Sequence, residues 1–336
     1  MSEPFVITLI DHEWENLEIE KNIIKNFTTE ETPIKFNFLQ SRDKTEIMNG
    51  IKNTDAIIVM YANISKEIID SADNLKIISR YGIGVNNIDV KAASQKGIIV
   101  GNVGDYCIEE VSNHALSMIL SSTRRLFSFN YYVKNNQWDF KLTKTPVRAS
   151  KLNVGLVGFG QIAKRLAEKL DVIGYNVLAY DPFVEEKEMN SLNVKKVSMN
   201  TLLNTSDYVS LHSPLTDDTH HLIQKSSLEK MKESAVLINT SRGALIREND
   251  LIDALNKKTI AGASLDVIEN EPLRENHPFL SMDNVVLSPH AAWYSEDAII
   301  EIRSKAVMNV INYMQGKTPR YIVNKNSLGR LFNEKL

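Results

Sequence analysis

The chain has one cysteine, Cys107, among its 336 residues. A single thiol excludes an intrachain disulfide framework and any cysteine-rich zinc site, which fits a reducing cytoplasm. Cys107 opens an amphipathic run, where a free cysteine is expected to be a small core hydrophobe rather than a nucleophile. Long apolar runs are missing too: no stretch approaches the roughly 20 residues that a membrane span requires. The first apolar run, FVITLI, lacks a basic flank and precedes DHEWE, so it is expected to be a strand rather than a secretion signal. Neither sign of charge dominates. The 39 basic and 42 acidic residues are interspersed, which denies the chain the basic face that a nucleic-acid backbone requires. Solenoid-period repeats and low-complexity tracts are absent as well.

What is present is alternation. The runs FVITLI, IKFNFL, AIIVM, LKIISR and IIVGNV read as strands, separated by helical patterns such as KEIIDSA and NIDVKAASQKG. That rhythm predicts a parallel sheet covered by helices. From Ile108 the apolar positions Val111, Ala115, Met118, Ile119 and Leu126 fall at three- and four-residue spacing, predicting a helix that ends near Arg124 and Arg125. A second series follows in LNVGLVGFG, NVLAYD, YVSLHSP, AVLINTS, AGASLDV and NVVLSPH, six strands with short connections, as in a doubly wound nucleotide-binding domain. A last helix, capped by Ser295 and stopped by Gly316 and Pro319, carries an apolar face of Ile299, Ile302, Ala306, Val310 and Met314. The fold class expected is therefore α/β with two doubly wound parallel-sheet domains. Residues 102–292 form a Rossmann domain inserted between the two parts, 1–101 and 293–336, of a flavodoxin-like domain.

Within VGLVGFGQIAKRLAEKL, Gly158, Gly160 and Ala163 stand in a G-x-G-x-x-A pattern between a strand and a helix whose buried face is predicted to be Ile162, Leu166 and Leu170. The first glycine allows a tight turn, the second lets the backbone approach a pyrophosphate, and the small third residue lets helix and strand pack closely. The helix N-terminus then favours phosphate charge. Twenty-one residues after Gly160 the next strand ends at Asp181, where a carboxylate accepts hydrogen bonds from a ribose diol and repels a 2′-phosphate. The following PFVEE offers no arginine for such a phosphate, so NAD is expected rather than NADP.

Three ionisable residues stand at or beyond the ends of later strands: Arg242 in NTSRG, Glu271 in ENEP and His290 in SPHAAW. In open α/β sheets that carboxyl edge is where ligands bind. Together they form a set suited to reducing a 2-oxo acid. Arginine is a permanent cation whose planar fork matches a carboxylate, histidine donates a proton near neutrality, and a carboxylate on the second ring nitrogen orients the histidine and favours its protonated form. Arg242 is thus expected to anchor and polarise the substrate, His290 to act as the acid, and Glu271 to support His290. No metal is called for.

The ordered motifs RYGIGVNNID, VGLVGFGQIA, LHSPLT, NTSRG, LDVIENEP and SPH make the chain resemble the D-isomer-specific 2-hydroxyacid dehydrogenases, including phosphoglycerate dehydrogenase-like members, over nearly its whole length. The resemblance implies an NAD-dependent oxidoreductase interconverting a 2-oxo acid and a D-2-hydroxy acid, with Arg242, Glu271 and His290 as its catalytic residues. It implies NAD contacts at Gly158, Gly160, Gln161, Ile162, Asp181, His212, Pro214, Thr219, Thr240, Ser241 and Asp266, the last near the nicotinamide amide. The backbone N–H groups of Ile83 and Gly84 match those that hold the substrate carboxylate. It also implies that a helix over 106–127 lies in a homodimer interface. Asn86 departs from the aspartate common at its position.

The segment HAAWYSE is similar to the C-terminal binding proteins, NAD-dependent corepressors that kept the dehydrogenase fold, and to their bacterial relatives. Arg80 matches a cation beside the substrate in those proteins. Trp293 has two readings, as an apolar wall against the substrate side chain or as packing at the hinge. The alternative to a reductase is accordingly an NAD-sensing dimeric binding module with little turnover. A formate dehydrogenase-like oxidase is disfavoured, since glutamine normally accompanies the histidine in that branch, whereas this chain has Glu271.

Overall fold

The computed structural model describes residues 3–329. Residues 1–2 and 330–336, which the sequence assigns to the first domain, lie outside the described residues. Two compact units emerge: Met1–Tyr106 with Ser295–Leu336, and Cys107–Tyr294.

The first unit holds a five-stranded parallel sheet built from β1 (Phe5–Leu9), β2 (Ile34–Phe38), β3 (Ala56–Val59), β4 (Ile77–Arg80) and β5 (Ile99–Gly101) in the order β2-β1-β3-β4-β5. This is the flavodoxin-like order. Residues of β3 and β4 such as Ile57, Ile58 and Ile78 are fully buried, as expected of central strands covered on both faces. The helix Glu296–Met314 starts at Ser295, whose side chain accepts from Ala298 N. Its buried face includes Ile302, Ala306 and Val310 but also Arg303. Arg303 reaches the buried Glu20 through two bonds, Nε to Oε1 at 2.8 Å and Nη2 to Oε2 at 2.6 Å, and Tyr81 Oη donates to the same Oε1 at 3.0 Å. A buried pair of this kind is tolerated because both charges are matched and hydrogen-bonded. It ties the residue just after β4 to two helices.

The second unit holds seven parallel strands: β6 (Asn153–Val157), β7 (Asn176–Tyr180), β8 (Lys195–Lys196), β9 (Tyr208–Leu211), β10 (Val236–Asn239), β11 (Gly262–Leu265) and β12 (Val285–Leu287), in the order β12-β11-β10-β9-β6-β7-β8. The sequence predicted six. The extra strand β8 pairs Lys195 and Lys196 with Leu178 and Ala179; two lysines on a sheet edge carry no apolar signature, and charge is what edges tolerate. The order reverses between β6 and β9, the switch point at which such sheets bind ligands.

The helix expected from periodicity to end near Arg124 runs Ile108–Thr123, and past Arg124 and Arg125, the latter at φ 57°, a second helix covers Leu126–Lys134, so the span 106–127 is not one helix. The apolar stripe of the first is buried inside its own unit: Ala115, Met118 and Ile119 share a core with Leu156, Leu166 and Leu170. The second helix has no buried residue. Together with the segment that follows, it leaves Leu126, Phe127, Tyr131, Trp138 and Phe140 exposed, Trp138 by 89%. Cys107 is buried, as a core thiol should be. Among the described residues, no helix is long and apolar enough to cross a membrane.

Candidate functional site

The site of the second unit is built on loops that leave the carboxyl edge of its sheet. After β6 the chain turns at Gly158, with φ +89°, and Gly160 opens the helix Gln161–Ile173. A Cβ on Gly158 would lie 2.8 Å from the backbone of His212 and Ser213. Both the left-handed angle and the contact therefore require glycine. At Gly160 a Cβ would meet nothing within 4 Å, so the open side of the turn faces free space at a helix N-terminus, the geometry a pyrophosphate needs. Ala163 is fully buried together with Leu166, Ala167 and Leu170. Ile162, expected on that face, is only half-buried and Gln161 is exposed. Two alanines, Ala163 and Ala167, take the inner face because the helix lies close to the sheet.

Asp181, just past β7, accepts Phe159 N on Oδ2 at 2.8 Å and Phe183 N on Oδ1 at 2.8 Å. The carboxylate expected to bind a ribose also fixes the glycine turn. It has roughly four lone-pair directions, so two remain for ribose hydroxyls. Beyond β9, His212 Nε2 pairs with Ser210 Oγ at 2.9 Å, and burial lowers its pKa to about 4. The ring is neutral at pH 7. Thr219 closes the same loop, donating from Oγ1 to Pro214 O at 2.6 Å. Past β10, Ser241 Oγ donates to Leu211 O at 2.8 Å. Among the described residues, Thr240 Oγ1 is buried with no hydrogen-bond partner, an unmatched polar atom that a ligand at this edge would satisfy.

The loop Ser288–Trp293 leaves β12 and carries His290 at φ +54°, a backbone angle costly for any residue with a Cβ. Asp266, at the end of β11 and 2% exposed, holds it there. Its Oδ1 accepts Ser288 Oγ at 2.5 Å and Ala291 N at 2.8 Å, its Oδ2 accepts Ala292 N at 2.9 Å, and its carbonyl accepts His290 N at 2.8 Å. His114, from the helix Ile108–Thr123, meets Ser288 Oγ at 2.9 Å. Sequence reasoning singled out neither His114 nor Ser288 for a role; they lie 174 positions apart, so no local spacing pairs them.

His290 Nδ1 lies 2.7 Å from Glu271 Oε2, with both side chains partly exposed. An ionised carboxylate only accepts, so Nδ1 carries the proton and Nε2 is left for chemistry. Burial pushes the Glu271 carboxyl up, but the hydrogen bond and charge of His290, Ile268 N–H and the charge of Arg242 together hold it below the usual carboxylate value. Arg242 donates from Nη1 to Ser241 O at 2.6 Å. The three residues expected to act together thus share one end of this sheet.

His220, His221 and Glu269 also bring potential metal-ligating atoms within 4.8 Å of one another. Nε2 of His221 is engaged by Glu269 at 2.6 Å, and Arg247 Nε lies 3.4 Å from its Nδ1, a cation adverse to a divalent ion. Trp293 is half-buried and meets Tyr294 edge-on, with ring centroids 5.6 Å apart.

In the first unit, Arg80 ends β4 and the loop that follows carries Ile83 and Gly84. A Cβ on Gly82 would sit 1.6 Å from Arg80 Nη1, so glycine is what lets the guanidinium fold against this loop. Neither Ile83 N nor Gly84 N donates to a backbone carbonyl among the described residues.

Residues 116–292 match the model of the family described as D-isomer specific 2-hydroxyacid dehydrogenase, NAD binding domain. The chain is 36% identical over 294 residues to a glyoxylate reductase of Thermofilum pendens, covering 85% of this chain and 86% of that one. It is 34% identical over 286 residues to a D-3-phosphoglycerate dehydrogenase of Archaeoglobus fulgidus, covering 85% of this chain and 54% of that one. Among solved structures, the D-lactate dehydrogenase of Aquifex aeolicus, complexed with NAD and lactic acid, aligns with a TM-score of 0.83 at 25% identity over 94% of this chain and 98% of that one. With the glycine turn, Asp181 and the unmatched Thr240 hydroxyl suited to that cofactor, the chain is an NAD-binding oxidoreductase and belongs to the D-isomer specific 2-hydroxyacid dehydrogenase family.

Proposed function

We propose that the protein reduces a small 2-oxo acid to the D-2-hydroxy acid, with His290 as the proton donor. The observation that carries this is the 2.7 Å pair between His290 Nδ1 and Glu271 Oε2 beside Arg242. Bound NADH supplies the hydride. His290, protonated on both nitrogens, gives the Nε2 proton to the substrate oxygen and returns to the neutral ring with Nδ1–H still held by Glu271. Arg242 fixes the substrate carboxylate and polarises the carbonyl. Run backwards, the neutral ring accepts the hydroxyl proton. The NAD contacts we assign are Gly158, Gly160, Gln161, Ile162, Asp181, His212, Pro214, Thr219, Thr240, Ser241 and Asp266.

In the first unit, Arg80 and the N–H groups of Ile83 and Gly84 are anion-binding groups that we assign to the substrate carboxylate. Trp293 we assign to substrate choice. Relatives named glyoxylate reductase and D-3-phosphoglycerate dehydrogenase set the range to be tried. NADH consumption is followed with glyoxylate, hydroxypyruvate, 3-phosphohydroxypyruvate and branched or thioether 2-oxo acids. Turnover of one or more is expected; NADH binding without turnover on any would favour an NAD-sensing binding module instead. Replacing Trp293 by leucine should reorder the substrates, and an unchanged order would return Trp293 to a packing role.

We also propose a homodimer. The exposed apolar side chains of Leu126, Phe127, Tyr131, Trp138 and Phe140 form the surface that a second copy would cover. Sedimentation of the wild type and of a Phe127→Glu, Tyr131→Glu variant tests it: the wild type should run as a dimer and the variant as a monomer.

A further inference from the structure

Behind Arg242 and Glu271 lies a group of four side chains that the proposed chemistry does not use. Glu248 opens the helix Glu248–Asn256, and Glu269 stands two residues before Glu271. Each carboxylate accepts the other residue's backbone N–H, Glu248 N to Glu269 Oε2 at 3.3 Å and Glu269 N to Glu248 Oε2 at 3.2 Å. Each also takes one histidine. His221 Nε2 meets Glu269 Oε1 at 2.6 Å, and His277 Nε2 meets Glu248 Oε1 at 3.0 Å. The far nitrogen of each ring faces a donor, Arg247 Nε for His221 and Phe279 N for His277. Both rings therefore present Nε2–H to their carboxylates, and all four side chains are less than one-third exposed. Reciprocal bonding of this kind is self-consistent in tautomer and charge, which is what makes a partly buried polar network rigid.

The clamp touches both segments that carry the chemistry. A Cβ on Gly243 would fall 1.8 Å from Ile268 O, so the turn after Arg242 lies directly on the backbone leading to Glu271. Ile268 N in turn donates to Glu271 Oε1 at 3.3 Å. His221 N bonds Ala244 O at 2.8 Å, adding the loop after β9 to the same assembly. We propose that Glu248, Glu269, His221 and His277 are positioning residues that set the place of Glu271, and with it the orientation of His290, relative to Arg242. The proposal rests on the catalytic roles assigned above.

The test reads the His290–Glu271 hydrogen bond directly by the NMR signal of the His290 Nδ1 proton in the full chain, assigned by its loss in His290→Ala, so no substrate is needed. Glu271→Gln removes the carboxylate and should move that signal upfield. Glu269→Gln, which swaps one accepting oxygen for a donor, should move it the same way, and in the Glu271→Gln background should add nothing. With a substrate from the panel, kcat should fall roughly ten- to a hundred-fold in Glu269→Gln while the NADH dissociation constant is held. Should Glu269→Gln not fold, His221→Gln and His221→Leu replace it. The glutamine amide retains an N–H near Nε2 and should keep the wild-type signal position, while leucine should shift it. An unshifted signal in Glu269→Gln, equal shifts with and without Glu271, or equal behaviour of the two His221 variants would overturn the clamp. Wild-type turnover in Glu271→Gln would instead sink the catalytic assignment beneath it.

Discussion

Two loops at the same sheet edge hold their shape in opposite ways. The turn at Gly158 uses a residue without a Cβ, so its left-handed angle costs little, and one remote carboxylate, Asp181, reaches Phe159 N. The loop at His290 puts a full side chain at φ +54° and is held by four hydrogen bonds to Asp266. A turn that only has to make room for a ligand can be made of small residues. One that must aim an imidazole needs a Cβ at the strained position, and the stabilisation comes from elsewhere in the chain.

The largest effect should come from His290→Ala, which keeps the loop but removes the proposed acid. Turnover should fall by roughly 10²- to 10⁴-fold in steady-state assays while NADH affinity, read by fluorescence titration, changes little; unchanged turnover would end the acid role. Gly158→Ala attacks the other loop. With both the angle and the 2.8 Å contact against it, NADH should bind at least roughly ten-fold more weakly, an expected loss of about 1.4 kcal/mol or more. Retention of wild-type affinity would show that the turn tolerates a Cβ.

Asp266→Asn sharpens the contrast between the loops. One amide hydrogen would oppose a donor that now bonds a carboxylate oxygen, costing about 1–3 kcal/mol. The consequence should appear as lower thermal stability and lower kcat, with a smaller change in NADH affinity; a change confined to NADH affinity would make Asp266 a cofactor contact alone. Asp181→Ala should reduce the preference for NADH over NADPH by several-fold and loosen the glycine turn, measured as the ratio of the two dissociation constants.

The smallest effect is in pH. Glu271 has a lowered folded pKa, so its contribution is fully present above the ordinary value of 4.5 and is lost as pH falls through the folded value. His212 is the reverse case of a base: its folded pKa of about 4 lies below 6.5, so the unfolded chain binds its proton first. Stability should therefore decline as pH drops from 6.5 toward 4. His212→Gln should flatten the dependence of Tm on pH over that window, and an unaltered slope would remove His212 from the account.

The alternation of short β-branched runs with helical patterns was enough to read two parallel sheets, because strands buried on both faces are apolar along their whole length. The strand β8 escaped because edge pairing of Lys195 and Lys196 depends on a neighbour and not on composition. The glycine turn was legible for a different reason: backbone freedom is a property of the residue itself. That Arg242, Glu271 and His290 gather at one sheet edge was legible as well, since each lies within six residues past a recognisable strand.

What the sequence by itself determined is this periodicity, the turn chemistry and the residue types at strand ends, all set by interactions within a few positions. Tertiary structure alone decided that Asp181 fixes the turn it follows, that Asp266 holds the His290 loop, and that the stripe on Ile108–Thr123 is buried inside its own unit. It also decided that His221, Glu248, Glu269 and His277 meet. Those hydrogen bonds join residues as many as 48 positions apart, and a bond over such a distance is selected by how sheets and loops stack in space, which spacing along the chain does not encode.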